Sequence, residues 1–352
     1  MGDQNIILVT DLQNRVEVSN YLLGFQYLPR RIDIAFSLYH LIYYFYTSAP
    51  VYGSYNYDHI LFRDRYYGAA LSAHYPFSKF RRLEFNTDLV AIDRAEWDEF
   101  WDEFTLNEQR RLCVSELAYV KDNSVSRHFG PMNGGRFRLS FTASPNLYPN
   151  NFSISQKRGI DFYISEADYR RYFKAGFDHS FGLRFAGGAS FGDNPARFFL
   201  GGVENWINRP YYIDLQESEI EDIYVSKFIF PLRGSSFYEL QGTRYFLINS
   251  EFRFPFIQYF ILGWPIPYPF IDIRGALFMD LGGAWTDEAK NFNLFKDYGD
   301  GSRLADALMG FGFGMRFPFP FIGWPTQWDV AWKSDLNSTS KPRYYLSIGY
   351  EF

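Results

Sequence analysis

Apolar and polar residues alternate along most of this chain. The segments RRIDIAFSLYH, RRLEFNTDLVAID, MGFGFGMRF and RYYLSIGYEF each place apolar side chains at every second position. A period of two is the spacing of a β-strand with one apolar face, and helical periodicity is not seen in these segments. The pattern therefore predicts an all-β protein.

Two architectures produce such alternation: a soluble β-sandwich or barrel with an apolar interior, and a transmembrane barrel with an apolar exterior. Many alternating runs here reach about ten residues, which is enough to cross a bilayer at a tilt, whereas sandwich strands average about five or six. The run length favours an antiparallel transmembrane β-barrel.

The connections between the predicted strands alternate in length, as in outer-membrane barrels. Short or apolar turns are predicted near Pro29, Ser78 and His179, at 256–268 and at 318–325. Longer polar connections are predicted at 47–59, 95–111, 145–166, 194–241, 283–306 and 334–342. This spacing gives about fourteen strands, within a range of 14–16, and places both chain ends on the periplasmic side.

Aromatic residues make up 21% of the chain, more than a compact core requires. They cluster at strand ends, notably in the similar segments RFPFIQYFILGWP and RFPFPFIGWP, where Trp264 and Trp324 occupy matching places. This placement is typical of an interfacial girdle, and the alternative is that both rings pack a turn. The most apolar stretch, 254–273, contains too many prolines for a spanning helix.

Other classes of function have little support. The net charge is −5 with no long basic run, so nothing points to nucleic acid. Cys113 stands alone, and the five histidines show no metal spacing with it or with one another. GFGFG lies in a strand-like run with no helix after it, which favours close packing over a phosphate loop. We expect no cofactor, no metal and no enzymatic activity.

Two inward carboxylates stand out. Strand parity places Glu251 and Asp280 on the polar face of consecutive strands, where two confined carboxylates repel each other and require a cation. The long connection 194–241 precedes the Glu251 strand and offers Arg233 as a bidentate partner if it folds into the lumen.

The segments LRGSSF, GTRYFLINSEFRFPF, FMDLGGAW and the terminal YLSIGYEF resemble the barrel domain of the BamA-type superfamily, the bacterial surface antigen family. That superfamily includes outer-membrane protein insertases and two-partner secretion transporters. The resemblance implies a loop tip at Arg233 and Gly234 that folds back into the barrel and docks on Glu251 and Asp280. The tip aromatic is displaced here to Phe237. The N-terminal half is similar to a branch in which the barrel follows a TolB-like propeller.

The last strand ends in Phe352 with Tyr350 two residues earlier, which resembles the C-terminal signal of outer-membrane barrels. We expect residues 1–352 to form one barrel domain, with an upstream periplasmic domain and a first hairpin left off. The expected location is the bacterial outer membrane, in contact with its lipids, and the expected function is insertion or translocation of polypeptides. The alternatives are a plugged barrel that anchors a periplasmic partner protein, and a small-solute channel.

Overall fold

The computed structural model describes residues 3–11, 19–28, 31–50, 57–98, 102–127, 130–146, 157–176, 178–209, 226–263, 267–286, 292–297, 302–319 and 323–349. These ranges consist of β-strands and their connections. Within them, no helix has the length and apolar character needed to span a membrane.

The strands, in chain order, are β1 (Gln4–Asp11), β2 (Asn20–Tyr27), β3 (Asp33–Pro50), β4 (Tyr57–Ser78), β5 (Arg81–Asp98), β6 (Glu103–Asp122), β7 (Val125–Arg127), β8 (Gly130–Ser144), β9 (Lys157–Gly159), β10 (Phe162–Ala175), β11 (His179–Phe191), β12 (Phe198–Leu200), β13 (Lys227–Ile229), β14 (Leu240–Gly242), β15 (Arg244–Leu262), β16 (Tyr268–Trp285), β17 (Phe295–Asp297), β18 (Ser302–Leu304), β19 (Ala307–Pro318), β20 (Pro325–Ser334) and β21 (Arg343–Ile348).

One large antiparallel sheet contains the long strands. Fourteen of them follow one another in a single path, β1-β2-β3-β4-β5-β6-β8-β10-β11-β15-β16-β19-β20-β21, and the short strands β7 and β9 attach beside it to make a 16-stranded sheet. Each strand of the path pairs with the next one along the chain, so the topology is an up-and-down meander. The predicted all-β class and the predicted number of strands are confirmed.

The two faces of the sheet have opposite chemistry. One face exposes large apolar side chains, including Phe36, Leu89, Phe141, Phe185 and Phe313. The other face buries charged side chains, including Arg94, Arg184, Glu251, Asp280 and Arg316. A soluble protein has the reverse arrangement, whereas a barrel in lipid requires an apolar exterior and tolerates a polar interior. We call these the apolar face and the polar face.

The described parts of the connection between β11 and β15, residues 192–209 and 226–243, pack against the polar face. They form a small sheet in which β12 pairs with β13 and β14. Phe198, Leu200, Ile229 and Leu232 of this tip loop join apolar residues of the large sheet, such as Leu247, in one buried cluster. The loop therefore packs its own apolar side chains on an apolar part of this face, beside the buried charges.

The predicted long connection 95–111 is wrong, because β5 continues to Asp98 and β6 begins at Glu103. The predictions at 47–59 and 145–166 are also too wide, since β3 reaches Pro50 and β10 begins at Phe162. Polar residues on both faces of these strand ends resemble a loop in sequence. The ladder nevertheless forms there, because paired backbone groups need no apolar face.

The predicted turn at 256–268 is likewise too wide, because β15 continues to Leu262 and β16 begins at Tyr268. β15 pairs with β11 only as far as Arg253, and β16 pairs with β19 only from Arg274. In the part of the chain that the structure describes, the hairpin beyond these residues has no partner on its outer edges, where proline costs no ladder hydrogen bond. The connections at 12–19 and 123–129 were not predicted.

Candidate functional site

Arg233 lies at the centre of a buried ion cluster between the tip loop and the sheet. Its Nε and Nη2 donate to the two carboxylate oxygens of Asp280 at 2.7 and 2.9 Å. Its Nη1 donates to Glu251 Oε2 at 2.7 Å, and its backbone N–H donates to Asp280 at 3.0 Å. Arg233 is 2% exposed and both carboxylates are buried as deeply. The bidentate bonds fix the loop tip in one position on β15 and β16.

The two carboxylates belong to a larger network. Glu251 also accepts from Arg253 Nε at 2.7 Å and from Arg316 Nη2 at 3.1 Å. Arg316 donates to Asp329, which lies 3.6 Å from Arg233 Nη1. The cluster thus sets three guanidinium groups against three carboxylates. This balance of charge matters because an unpaired charge at such a depth would carry a desolvation cost of several kcal/mol.

The ring of Phe278 lies beneath the Arg233 guanidinium, with its centroid 3.6 Å from Cζ. A desolvated cation over an aromatic face gains further electrostatic attraction. Burial alone lowers the pKa of the Arg233 guanidinium, but the charges of Asp280 and Glu251 outweigh it and hold that pKa well above its usual value. The group is therefore a permanent cation in this site.

The loop tip reaches the sheet because two glycines let it approach. Gly234 has a φ of 90°, a left-handed conformation that side chains disfavour. Gly310 of β19 pairs with Asp280, and a methyl group there would lie 1.6 Å from the carbonyl oxygen of Arg233. A side chain at Gly310 would displace the loop. The glycines of the GFGFG segment thus include one that admits the tip.

Tyr345 of β21 holds the other side of the tip. Its hydroxyl accepts from the backbone N–H of Gly234 at 2.8 Å and donates to the carbonyl of Ser235 at 2.7 Å. Tyr345 is buried, and its ring contacts Trp206 at 4.6 Å between centroids. The tip is therefore bound by side chains from four strands of the path: Glu251 of β15, Asp280 of β16, Asp329 of β20 and Tyr345 of β21.

Phe237 does not join the carboxylates. It packs among aromatic rings of the loop itself, with centroids 5.7 Å from Phe230 and 3.6 Å from Tyr238. The guanidinium of Arg209 lies over its ring, 4.4 Å from the centroid. The displaced aromatic thus packs the loop internally.

A second contact holds the loop at residues 227–230, just before the tip. Lys227 donates to Glu166 of β10, and Tyr245 donates to the same carboxylate at 3.2 Å. Arg184 of β11 bridges the carbonyl of Phe230 and Asp168. The loop is attached at two separated places, so loss of one contact would leave the other.

The structure brings four of the predicted site residues together: Arg233, Gly234, Glu251 and Asp280. Trp324 is 54% exposed beside the connection that follows β19, where an interfacial ring would lie. Trp264, Tyr350 and Phe352 lie outside the described residues.

Sequence reasoning missed Arg316, Asp329 and Tyr345 as members of the site. Strand parity places Arg316 on the inward face, the same face as Gly310, and this was the sequence signal that could have identified Arg316 as a site residue. Within the described ranges, no group of three or more His, Cys, Asp or Glu side chains could hold a metal ion.

An inside-out antiparallel sheet with a loop bound to its polar face defines a transmembrane β-barrel protein. The fold is that of BamA-type barrels. The chain superposes on BamA from Haemophilus ducreyi lacking POTRA domains 1-3 with a TM-score of 0.55 and 11% identity, covering 94% of this chain and 62% of that one. It superposes on CdiB from Escherichia coli with a TM-score of 0.52 and 10% identity, covering 94% and 52%.

This chain therefore spans less than two thirds of the length of either protein. Neither the family models nor the curated proteins compared with the sequence give a significant match. The expected relation to a branch with a TolB-like propeller stays a prediction.

Proposed function

We propose that this chain is an outer-membrane barrel that inserts or translocates polypeptides at the bacterial outer membrane, without covalent chemistry. The BamA-type fold, the apolar face suited to lipid and the resemblance of the Arg233 segment support this proposal. In this role the barrel contacts outer-membrane lipids on its apolar face and an unfolded polypeptide or a periplasmic partner protein at its wall.

The buried Arg233 cluster is the observation that carries the proposal. It ties the loop directly to β15, β16 and β20, Arg316 of β19 joins it through Glu251, and Tyr345 adds β21. These strands stand on one side of the seam between the first and last strands of the path. Every residue of β1, on the other side, is exposed. The Arg233 cluster would stiffen the strands on one side of the seam and leave β1 on the other side free to move, as a lateral opening requires.

The packed loop weighs against the small-solute channel. An open pore needs a water-filled interior, whereas Phe198, Leu200, Ile229 and Leu232 form a buried apolar cluster on the polar face. A plugged barrel that only anchors a partner would keep the same loop. Insertion activity separates that alternative from the proposal.

A folding assay in liposomes tests the proposed activity. A urea-unfolded small outer-membrane barrel protein is added to liposomes with and without this chain, and its folding is followed by heat-modifiable gel migration. We expect faster folding with the wild-type chain, and slower folding with Arg233→Ala than with Arg82→Ala, which removes a half-exposed arginine. An equal folding rate in liposomes with and without this chain would refute the insertase function.

Planar-bilayer conductance tests the role of the loop. We expect the wild-type chain to be silent and Arg233→Ala to be leaky, because a released tip opens the interior. The variant Arg82→Ala should be as silent as the wild type. Steady wild-type pores of one size would instead establish the channel.

A further inference from the structure

The last strand of the path, β21, is hydrogen-bonded along both edges. One edge pairs with β20 over the register Thr326↔Ile348 to Ala331↔Arg343. The other edge is the one that β1 would use to close the barrel. It is bound by residues 205–208 of the tip loop, which we call the cap segment.

Four hydrogen bonds join the cap segment to this edge. The backbone N–H of Ile207 donates to the carbonyl of Leu346 at 2.7 Å, and the Leu346 N–H donates to Asn208 Oδ1 at 2.8 Å. Asn208 Nδ2 donates to the carbonyl of Tyr344 at 3.0 Å, and Asn205 Nδ2 donates to the carbonyl of Ile348 at 3.2 Å. In an antiparallel ladder alternate residues face one neighbour, so these groups are those that a strand opposite β20 would use.

The side chains of the cap segment imitate a strand. The amide of Asn208 accepts and donates on either side of Leu346, as a backbone peptide group does. Trp206 lies opposite Ser347 in an isolated bridge, and its indole N–H donates to Asn208 Oδ1 at 2.7 Å, which orients the amide. The cap satisfies edge groups that would otherwise be open to pairing.

The first strand of the path has the chemistry of an unprotected edge. Ile6, Ile7, Leu8 and Val9 are 76%, 41%, 67% and 56% exposed, so both faces of β1 are apolar and open. Within the described residues, β1 pairs with β2 and shares no ladder with β21. Natural sheets rarely leave such a strand without a partner. The cap segment occupies the place that β1 or another strand would take.

We propose that the cap segment is an autoinhibitory contact that keeps the edge of β21 closed to strand addition until the segment leaves. The inference rests on the proposed function only in taking the seam as the working part of the barrel. Because Tyr345 contacts both Trp206 and the Gly234 tip, the cap is coupled to the Arg233 cluster.

Amide hydrogen exchange tests the contact in the purified chain. The Leu346 N–H should exchange at least about tenfold faster in Asn205→Ala/Asn208→Ala than in the wild type, because its acceptor is lost. Ile207→Pro, which removes one donor and no side-chain bond, should weaken the contact in the same direction. Asn337→Ala in the exposed turn after β20 is the matched control and should leave the rate unchanged. Unchanged Leu346 exchange in both folded cap variants would overturn the proposal.

Crosslinking tests the block itself. In a Cys113→Ser background, cysteines replace Leu8 and Tyr344, both exposed on the apolar face, and a flexible bis-maleimide reports how often the two edges meet. We expect severalfold faster crosslinking when Asn205 and Asn208 are alanine than when Asn337 is. An equal rate would show that the cap does not control the seam. Neither measurement uses polypeptide insertion. A negative result in these two tests would therefore refute the role of the cap segment and not the proposed function, and a negative liposome assay would refute the proposed function and not the role of the cap segment.

Discussion

The substitution Arg233→Ala measures how much the buried ion cluster stabilises the folded chain. It leaves Arg253 and Arg316 to neutralise Glu251, Asp280 and Asp329. Asp280 is affected most, because it loses the Nε and Nη2 donors and retains Asn249 Nδ2 and one backbone N–H. A carboxylate that was paired in a dry site would then carry an uncompensated charge.

The expected loss is about 3–5 kcal/mol, the usual cost of breaking a buried ion pair from one side. Loss of the Phe278 contact pushes the value up, and water entering the space left by the side chain pushes it down by hydrating Asp280. The control Arg82→Ala removes an arginine whose side chain is 45% exposed. Its partner Glu84 keeps a second cation, Arg138, at 3.7 Å, so we expect this variant to lose at most about 1 kcal/mol and to be well separated from Arg233→Ala.

Urea titration in lipid, with the folded fraction read from heat-modifiable gel migration, gives the free energy of unfolding of each variant. A double-mutant cycle with Asp280→Asn assigns the loss to charge. We expect the double variant to lose less than the sum of the two single variants, because neutral asparagine needs no cation. If Arg233→Ala loses no more than Arg82→Ala, the cluster does not stabilise the barrel and the locking role is refuted.

Two further outcomes are expected. Gly310→Ala should release the loop tip and destabilise the chain in the same urea titration, because its methyl group would meet the Arg233 carbonyl. The control Gly24→Ala should be nearly neutral, because a methyl group there makes only ordinary contacts. Burial raises the pKa of the Glu239 carboxyl, but its hydrogen bonds with Lys333 and the Ser236 N–H outweigh this and lower it. The ionised Glu239 carboxylate therefore stabilises the fold at any pH above its ordinary pKa, and this stabilisation is lost as the pH falls through its lowered pKa. Glu239→Gln should have a lower free energy of unfolding than the wild type at neutral pH, and the two values should converge in acid.

Alternation alone was enough to predict the strands, because the period of two is a local property of the backbone. The same parity placed Glu251 and Asp280 on the polar face and Phe311 and Phe313 on the apolar face, where the structure has them. Strand ends were harder to predict. In 95–111 the apolar signal is lost while the ladder continues, since backbone pairing holds polar strands as well.

The membership of the ion cluster could not be predicted in full. Arg316 and Asp329 lie on strands far along the chain from Arg233, and only the register of β16, β19 and β20 brings Arg316 to Glu251 and Asp329 to Arg316. The close approach at Gly310 depends on the path of the loop, which has no repeating pattern in sequence.

The sequence by itself determined the class of fold, the direction of each face and two of the carboxylates, because these follow from residue type and strand parity. The tertiary structure alone decided that Arg253 and Arg316 join Arg233 at Glu251 and that residues 205–208 bind the free edge of β21. Both depend on contacts between segments that are distant in sequence, and loop path and strand register, which set such contacts, are properties of the whole fold.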